Sequence, residues 1–583
     1  MTTTSTRPSD LQIRSFGQSK QGRAEPLGSV CTLLAAAFML VTVVNPDHFP
    51  PWTSFHAEAP AFGAAALLLL ACCASRTSHI GRPTATLLVL VTTAWLQWAT
   101  GLLRYAGDAW VVTAYLVTFA SAWFWAATHE RGSNQPQPLE LMMAVIMVLG
   151  LLTALQAIAQ WLQLEHHFRG WVHSSASVRS TGNLGQPNQA ATLLLMAIAA
   201  AGALVVRQRI GLAVAWAWFL VGGWAVVLTQ SRTALLSATL MVMAFVALTM
   251  VRPALRAYRW HAITWLGALF AGGWLLQSLH WDGVRPAVGA EVMTAVGLRP
   301  VLWSQLAAAL WDDPWFGYGW LQVSSAQQAG SAHVPGIEQV NYSHNVLIDA
   351  FIMLGVPSSL LLLGLTLVWT RERLKRLRGD DGTATTALFM LAPFCVHSML
   401  ELPHAYAYFL VFAGILIGIV ASRTRDPDAR TRAVPRVVLA GFATSFIVLL
   451  AALFVEYAAV EEDFRVNRFE NRRLGRTPDD YVLPNLRLLT QFEGLLRAMR
   501  LRAGRDMASA DLDTLVGSAR RYTWAPLQFR AALALALNGR PQEARQHLEV
   551  IKAMFTSEIY EEGRSQWLAQ QVQYPELRAV TPP

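Results

Sequence analysis

The sequence predicts an all-α protein: a polytopic bundle of about thirteen membrane-spanning helices followed by a helical domain outside the bilayer. Three observations predict it. Of 583 residues, 54% are hydrophobic and only 14% charged, a balance that soluble chains of this size do not arrange in serial apolar runs. Thirteen such runs follow one another, separated by short basic breaks. Lysine and arginine fall unevenly between alternate connections, as the positive-inside rule requires of a membrane protein.

The runs cover 27–44, 60–74, 84–103, 109–127, 139–162, 188–206, 211–229, 233–250, 262–279, 345–369, 384–400, 404–421 and 437–455. With the N-terminus inside, the inner connections hold 22 lysines and arginines. The outer ones hold six: Arg104, Arg169, Arg179, Arg232, Arg285 and Arg299. This predicts a cytoplasmic tail over 1–26, a transmembrane domain over 27–455, and outer loops at 163–187 and 280–344. An odd number of spans then leaves residues 456–583 outside. The formal charge of +9 is accounted for by these breaks, so the partner expected is the bilayer and not nucleic acid. No small-residue cleavage site closes the first run, which reads as a retained span. Cys31, Cys72, Cys73 and Cys395 sit inside apolar segments without metal spacing and read as packing residues.

Within the 280–344 loop, Arg299 to Trp311 reads as a helix stopped by Asp312-Asp313-Pro314, residues that favour turns. Trp303, Trp311, Trp315 and Trp320 suit a helix at headgroup depth, or serve only as belt anchors. In the tail, Pro526–Leu537 and Gln542–Ile551 flank Asn538-Gly539-Arg540-Pro541, a helix–turn–helix like one tetratricopeptide unit.

Ionisable groups are scarce at the outer boundary, so each can be weighed. His344 closes the polar stretch Asn341-Tyr342-Ser343-His344-Asn345 and opens an apolar helix from Val346 to Trp369. An imidazole there is either a general base working near neutral pH or a neutral donor packed at a helix end. Arg232 lies between two spans with almost no loop, where it either snorkels to headgroups or binds an anion. Arg299 precedes Trp303 by four residues, which lets its guanidinium lie beside the indole; it either binds phosphate or anchors the surface. The amide-rich stretch from Gly182 through Gln186 to Asn188 and Gln189 offers a glycine turn, a helix cap at Asn188 or Gln189, and groups matched to sugar hydroxyls. His397 and Glu401 share a helical face, either functional or as an interhelical hydrogen bond, and Tyr406 and Tyr408 follow Pro403. His166, His167 and His173 lack zinc-type order, and no metal site is expected.

Together these residues resemble the O-antigen ligase superfamily and, within it, the bacterial protein O-oligosaccharyltransferases, the pilin glycosylation ligases. The ligase loop motif of His, then Asn, nine residues and Gly reads here as His344, Asn345, Val346–Leu354 and Gly355, with Ser358 where the family more often has Gly, Thr or Tyr. Gln230-Ser231-Arg232 resembles the Ser-Arg element, and Arg299 to Trp303 with Pro314 to Gly319 resembles the stretch before the catalytic loop. The Gln186-Pro187-Asn188 and Glu401 to Tyr406 elements and the outer tail look particular to the protein-glycosylating branch.

The resemblance implies a GT-C-like fold in the bacterial inner membrane. It implies transfer of a glycan from an undecaprenyl-diphosphate carrier to a serine or threonine of a periplasmic acceptor such as a pilin. Arg232 and Arg299 would hold the diphosphate, and His344 would accept the hydroxyl proton. Gln186, Asn188, Asn345, Glu401 and Tyr406 would hold glycan or acceptor. Two guanidinium charges could take the place of a divalent cation, so no cofactor is expected, and backside attack would invert the anomeric carbon. The rival readings are a ligase acting on lipid A-core, an O-antigen polymerase, or a transporter of lipid-linked sugars. Against a transporter, the sequence shows neither inverted repeats nor an evident broken span.

Overall fold

The computed structural model of the chain describes residues 25–74, 78–80, 82–130, 137–279, 281–289, 297–336, 339–377, 381–426 and 432–583. The expected tail over 1–26 thus lies outside the described residues, save for the two that open the first helix. Each expected apolar run falls on a helix. In chain order these are α1 (Glu25–Val44), α2 (Phe55–Ala74), α3 (Arg82–Ala99), α4 (Ala106–His129), α5 (Pro138–Trp161), α6 (Pro187–Val206), α7 (Leu212–Leu228), α8 (Arg232–Val251) and α9 (Arg259–Ser278). The loop helices α10 (Arg299–Asp312) and α11 (Val323–Gly330) follow, then α12 (Val346–Arg376), α13 (Gly382–Ser398), α14 (Ala407–Arg423) and α15 (Arg436–Asn471). Among the described residues, α1, α2, α4, α5, α6, α8, α12 and α15 are long and apolar enough to cross a membrane, and α7 and α14 are shorter apolar helices.

The bundle is organised around α6 and α14, whose residues are mostly buried. Helix α14 packs on α4 through Gly414 and Gly418, where an added Cβ would press on the carbonyl oxygens of Phe119 and Trp123. Small residues one turn apart let two helix backbones approach this closely, which replaces the hydrophobic drive that lipid does not supply. The perimeter helices keep apolar side chains outward, among them Leu361, Val368, Trp274 and Val437. Such a continuous exposed apolar surface fits a hydrocarbon surround. Cys31 and Cys72 pack inside as expected, whereas Cys395 faces outward.

The connections sort to two ends. One carries the ion pairs Arg209–Glu140, Arg376–Asp426 and Arg423–Asp381, and the antiparallel pairing of β1 (Ser78–Ile80) with β2 (Arg432–Val434), the small departure from an all-helical chain. The other carries 163–187, the described parts of 280–344, the turn between α13 and α14, and the C-terminal helices.

One expected span is not continuous. The stretch from Val346 is broken at Gly355, with φ +76° and ψ 169°, and resumes through Pro357. The backbone groups freed by the break are met by neighbours: Tyr318 donates its amide to Ile352 O at 2.7 Å, Val356 donates to Pro314 O at 2.8 Å, and Gln97 Nε2 donates to Met353 O at 2.9 Å. Non-helical backbone is tolerated at membrane depth only where protein satisfies it in this way. A Cβ at Gly355 would fall on the carbonyl of Trp315, and one at Gly317 on that of Ile352, so the two glycines let the loop cross the break. The broken span that sequence reading did not find is therefore present, one short helix past His344.

Helix α15 runs unbroken through residues 455 and 456, where the outer domain was expected to begin. Beyond it α16 (Thr490–Arg500), α17 (Ser509–Arg521), α18 (Ala525–Leu537), α19 (Pro541–Met554) and α20 (Ser557–Gln570) each pack on the next. The predicted turn between α18 and α19 is present, with Gly539 at φ +77°.

Candidate functional site

His344 takes a backbone conformation rare for a residue with a side chain, φ +60°. Holding it there costs about 1–3 kcal/mol, which the surroundings must supply. Four bonds do so. Ser343 donates its amide to Asp349 Oδ1 at 2.7 Å, and its carbonyl accepts from the Trp303 indole at 2.8 Å. Asn345 caps α12 by accepting from the amides of Leu347 and Ile348, and its Nδ2 donates to Met399 O at 2.9 Å.

The strained backbone aims the imidazole at a carboxylate from a different part of the chain. His344 Nδ1 lies 2.5 Å from Glu401 Oε2. Nδ1–H is therefore the donor, which in the neutral imidazole leaves Nε2 as the acceptor. The other carboxylate oxygen accepts from Arg299 and, at 3.0 Å, from Asn188 Nδ2. Burial works against the Glu401 charge. The hydrogen bond from His344 and the His344 and Arg299 charges outweigh it, and hold the carboxyl below its ordinary 4.5. Glu401 is thus an anion at neutral pH.

Asn188 extends the network. Its Oδ1 accepts from Ser231 Oγ at 2.7 Å and from Arg179 Nη2 at 3.1 Å. Ser231 is also the N-cap of α8, accepting from Ala234 N, so the next residue, Arg232, begins that helix. Arg179 is partly desolvated; Glu401 attracts its charge and Arg232 repels it. Arginines 179, 232 and 299 therefore gather around one Asn–Glu–His core. The other outer arginines whose bonds the structure shows go elsewhere. Arg285 pairs with Glu165 at 2.5 Å, and Arg104 donates to Asp513 O at 2.7 Å.

A second histidine–carboxylate pair locks the same two segments in the opposite sense. His404 Nε2 lies 2.8 Å from Asp349 Oδ2, so each segment gives one imidazole to the other's carboxylate. At the start of α14, Glu58 of α2 accepts from Ala407 N at 2.8 Å, and also from Tyr115, Ser54 and the Trp52 indole. It anchors the backbone next to Tyr406, whose ring centre is 5.5 Å from that of Tyr408.

The expected residues thus divide. His344, Arg299, Glu401 and Asn188 meet in one bonded cluster, and Arg232 borders it through Ser231. Asn345 serves as a helix cap. Gln186 holds the N-cap position of α6 without a side-chain cap, and Pro187 starts the helix, so neither Asn188 nor Gln189 caps it. Both instead point inward, Gln189 accepting from the Tyr408 hydroxyl at 2.5 Å. The glycine turn exists, with Gly182 and Gly185 at positive φ, but α5 builds it: Gln160 Oε1 accepts from the amides of Thr181 and Gly182, and Gln156 Oε1 from that of Asn183. Glu401 is not paired with His397, because α13 ends at Ser398. His397 bonds Thr192 Oγ1 at 2.8 Å instead. Arg299 meets Glu401, and the Trp303 indole it was expected to flank bonds backbone. Among the described residues, no three His, Cys, Asp or Glu side chains form a metal-ligand group. Sequence reading missed Arg179, Asp349, His404 and Glu58. Asp349, an acid inside the 345–369 run, carried a sequence signal, and Glu58 lies just before the 60–74 run.

Known families and proteins match most of this chain. Residues 217–363, which include Arg232, Arg299 and His344, match a family described as O-antigen ligase. Residues 181–205, with Gln186 and Asn188, match one described as protein glycosylation ligase. Residues 385–570, with Glu401 and Tyr406, match the C-terminal part of a virulence factor membrane-bound polymerase family. A general O-oligosaccharyltransferase of Acinetobacter baylyi is 27% identical over 535 residues, 90% of this chain and 92% of that one. A ComP-specific O-oligosaccharyltransferase of the same organism is 26% identical over 338 residues, and the match spans 61% of its length.

Proposed function

We infer, from the premise that this chain is a glycosyltransferase of the O-antigen ligase type, that it is an O-linking oligosaccharyltransferase of the outer face of a bacterial inner membrane. It takes a glycan from undecaprenyl diphosphate and gives it to a serine or threonine of a periplasmic, pilin-like protein. The observation that carries this reading is the His344–Glu401 bond with arginines gathered around it. With Nδ1 held by a carboxylate, Nε2 can accept the proton of an acceptor hydroxyl. The hydroxyl oxygen forms its bond to the anomeric carbon as the bond from that carbon to the diphosphate oxygen breaks. The leaving group departs as the polyprenyl diphosphate, and attack from the opposite face inverts the carbon.

Arg179, Arg232 and the donors of Arg299 not used by Glu401 supply fixed positive charge where negative charge develops, the arrangement that lowers such barriers most. On this reading the reaction proceeds without a divalent cation. Full activity after exhaustive chelation is expected, and restoration by magnesium or manganese would overturn that part. The likeness to a protein glycosylation ligase family and to oligosaccharyltransferases supports a protein acceptor.

The test offers purified wild-type protein a polyprenyl-diphosphate glycan with a pilin-like peptide and lipid A-core in competition. Glycopeptide is the expected product. Product on lipid A-core alone would move the chain to the lipopolysaccharide ligase reading.

A further inference from the structure

At the end of the bundle opposite His344, a cavity of about 190 Å³ lies between α6, α7, α8, α9 and α13. Every helix contributes the half nearer the arginine-rich connections. The walls are apolar, with Gly202, Met241, Phe245 and Phe389 among them, and Val206 on the lining is also exposed on the perimeter. Its polar lining is Arg252, Tyr258, His261, Thr385 and Thr386.

Arg252 ends α8 and gives one Nη2 bond to Thr385 Oγ1 at 2.9 Å. Its Nε is buried without a hydrogen-bond partner, and among the described residues no carboxylate pairs with its guanidinium. The nearby acid, Asp381, is committed: Oδ1 caps α13 by accepting from Thr383 and Ala384, and Oδ2 accepts from Arg423. Arg207 adds a bond to Thr383 at 3.3 Å, and Arg256 and Arg259 lie on the adjoining turn. The cavity lining therefore presents the Arg252 guanidinium beside an apolar slot, while the acids Asp381 and Glu140 of this end are engaged elsewhere, with Arg423 and Arg209.

We propose that this cavity is a binding site for one anionic phospholipid, its phosphate on Arg252 and part of an acyl chain in the slot. Guanidinium forks bind phosphate oxygens in pairs, and basic pockets between membrane helices take anionic headgroups on these grounds. The acyl chain would contact the apolar lining along its length. The site is remote from the His344 cluster, and the assignment does not depend on the transferase reading.

The test is native mass spectrometry of the full chain after exchange with vesicles of dioleoylphosphatidylglycerol or dioleoylphosphatidylcholine. One phosphatidylglycerol should be retained by wild type and phosphatidylcholine should not. Arg252→Gln should weaken retention about fivefold, the share one basic residue contributes beside an anionic surface. Gly202→Leu, whose added side chain enters open space in the cavity wall, should displace the lipid with Arg252 intact. Equal retention of both lipids, or phosphatidylglycerol retained unchanged by either variant, would overturn the proposal.

Discussion

His344 depends on its orientation more than on its identity, because a left-handed backbone and one 2.5 Å bond to Glu401 decide which nitrogen is bound and which is left open. Glu401→Gln keeps the size of the side chain but loses the charge. It should lower kcat by about 100-fold with a smaller effect on KM, as expected when a positioned base loses its proper tautomer. Asp349→Asn weakens both the bond to His404 and the bond that fixes Ser343, and it should lower kcat while acceptor binding, read by titration, is kept. The Glu401 carboxyl lies below its ordinary 4.5 in the folded chain, so its stabilising effect is complete above that pH and disappears as pH falls through the lower folded value. Unfolding midpoints of wild type and Glu401→Gln should therefore stay apart above about pH 4.5 and converge below it. The sequence marked His344 and Glu401 separately, but their partnership spans 57 positions and no local pattern encodes it. Arg179 looked like any other charge in a polar loop. What singles it out is the convergence of α6 and α8 on Asn188.

At the scale of elements, apolar runs and basic breaks were enough to place thirteen helices, since each run must satisfy its backbone internally in lipid. They did not reveal the break at Gly355, because hydropathy is continuous through it; its sequence mark is Gly355 with Pro357, which has no amide to give to Met353 and crowds that carbonyl. The prediction at this scale is Gly355→Ala. The methyl group would meet the Trp315 carbonyl and also force a strained φ, so stability should fall by at least about 1–3 kcal/mol, seen as an earlier thermal transition in detergent. A transition equal to wild type would show that the loop does not cross the break as described.

The molecule as a whole joins its membrane and C-terminal parts through buried charge. Arg521 of α17 makes bonds of 3.2 and 2.9 Å to Asp108 in the first turn of α4, and Gln322, just before α11, adds a third at 3.1 Å. Removing one partner leaves the other charge buried and unpaired, so Arg521→Ala should destabilise by about 3–5 kcal/mol and open the C-terminal helices to limited proteolysis. The sequence showed one helix pair of this region. The stack of five and its seat on α4 rest on contacts between distant residues.

The central claim is that His344 and its arginine-ringed partner perform the transfer. The direct measurement is single-turnover transfer from a polyprenyl-diphosphate glycan to a hydroxyl acceptor, comparing wild type with His344→Ala at matched folded fractions. The account predicts a loss of at least about 100-fold in the variant with donor binding retained. A folded His344→Ala protein transferring at the wild-type rate would contradict it and place the chemistry elsewhere in the outer loops.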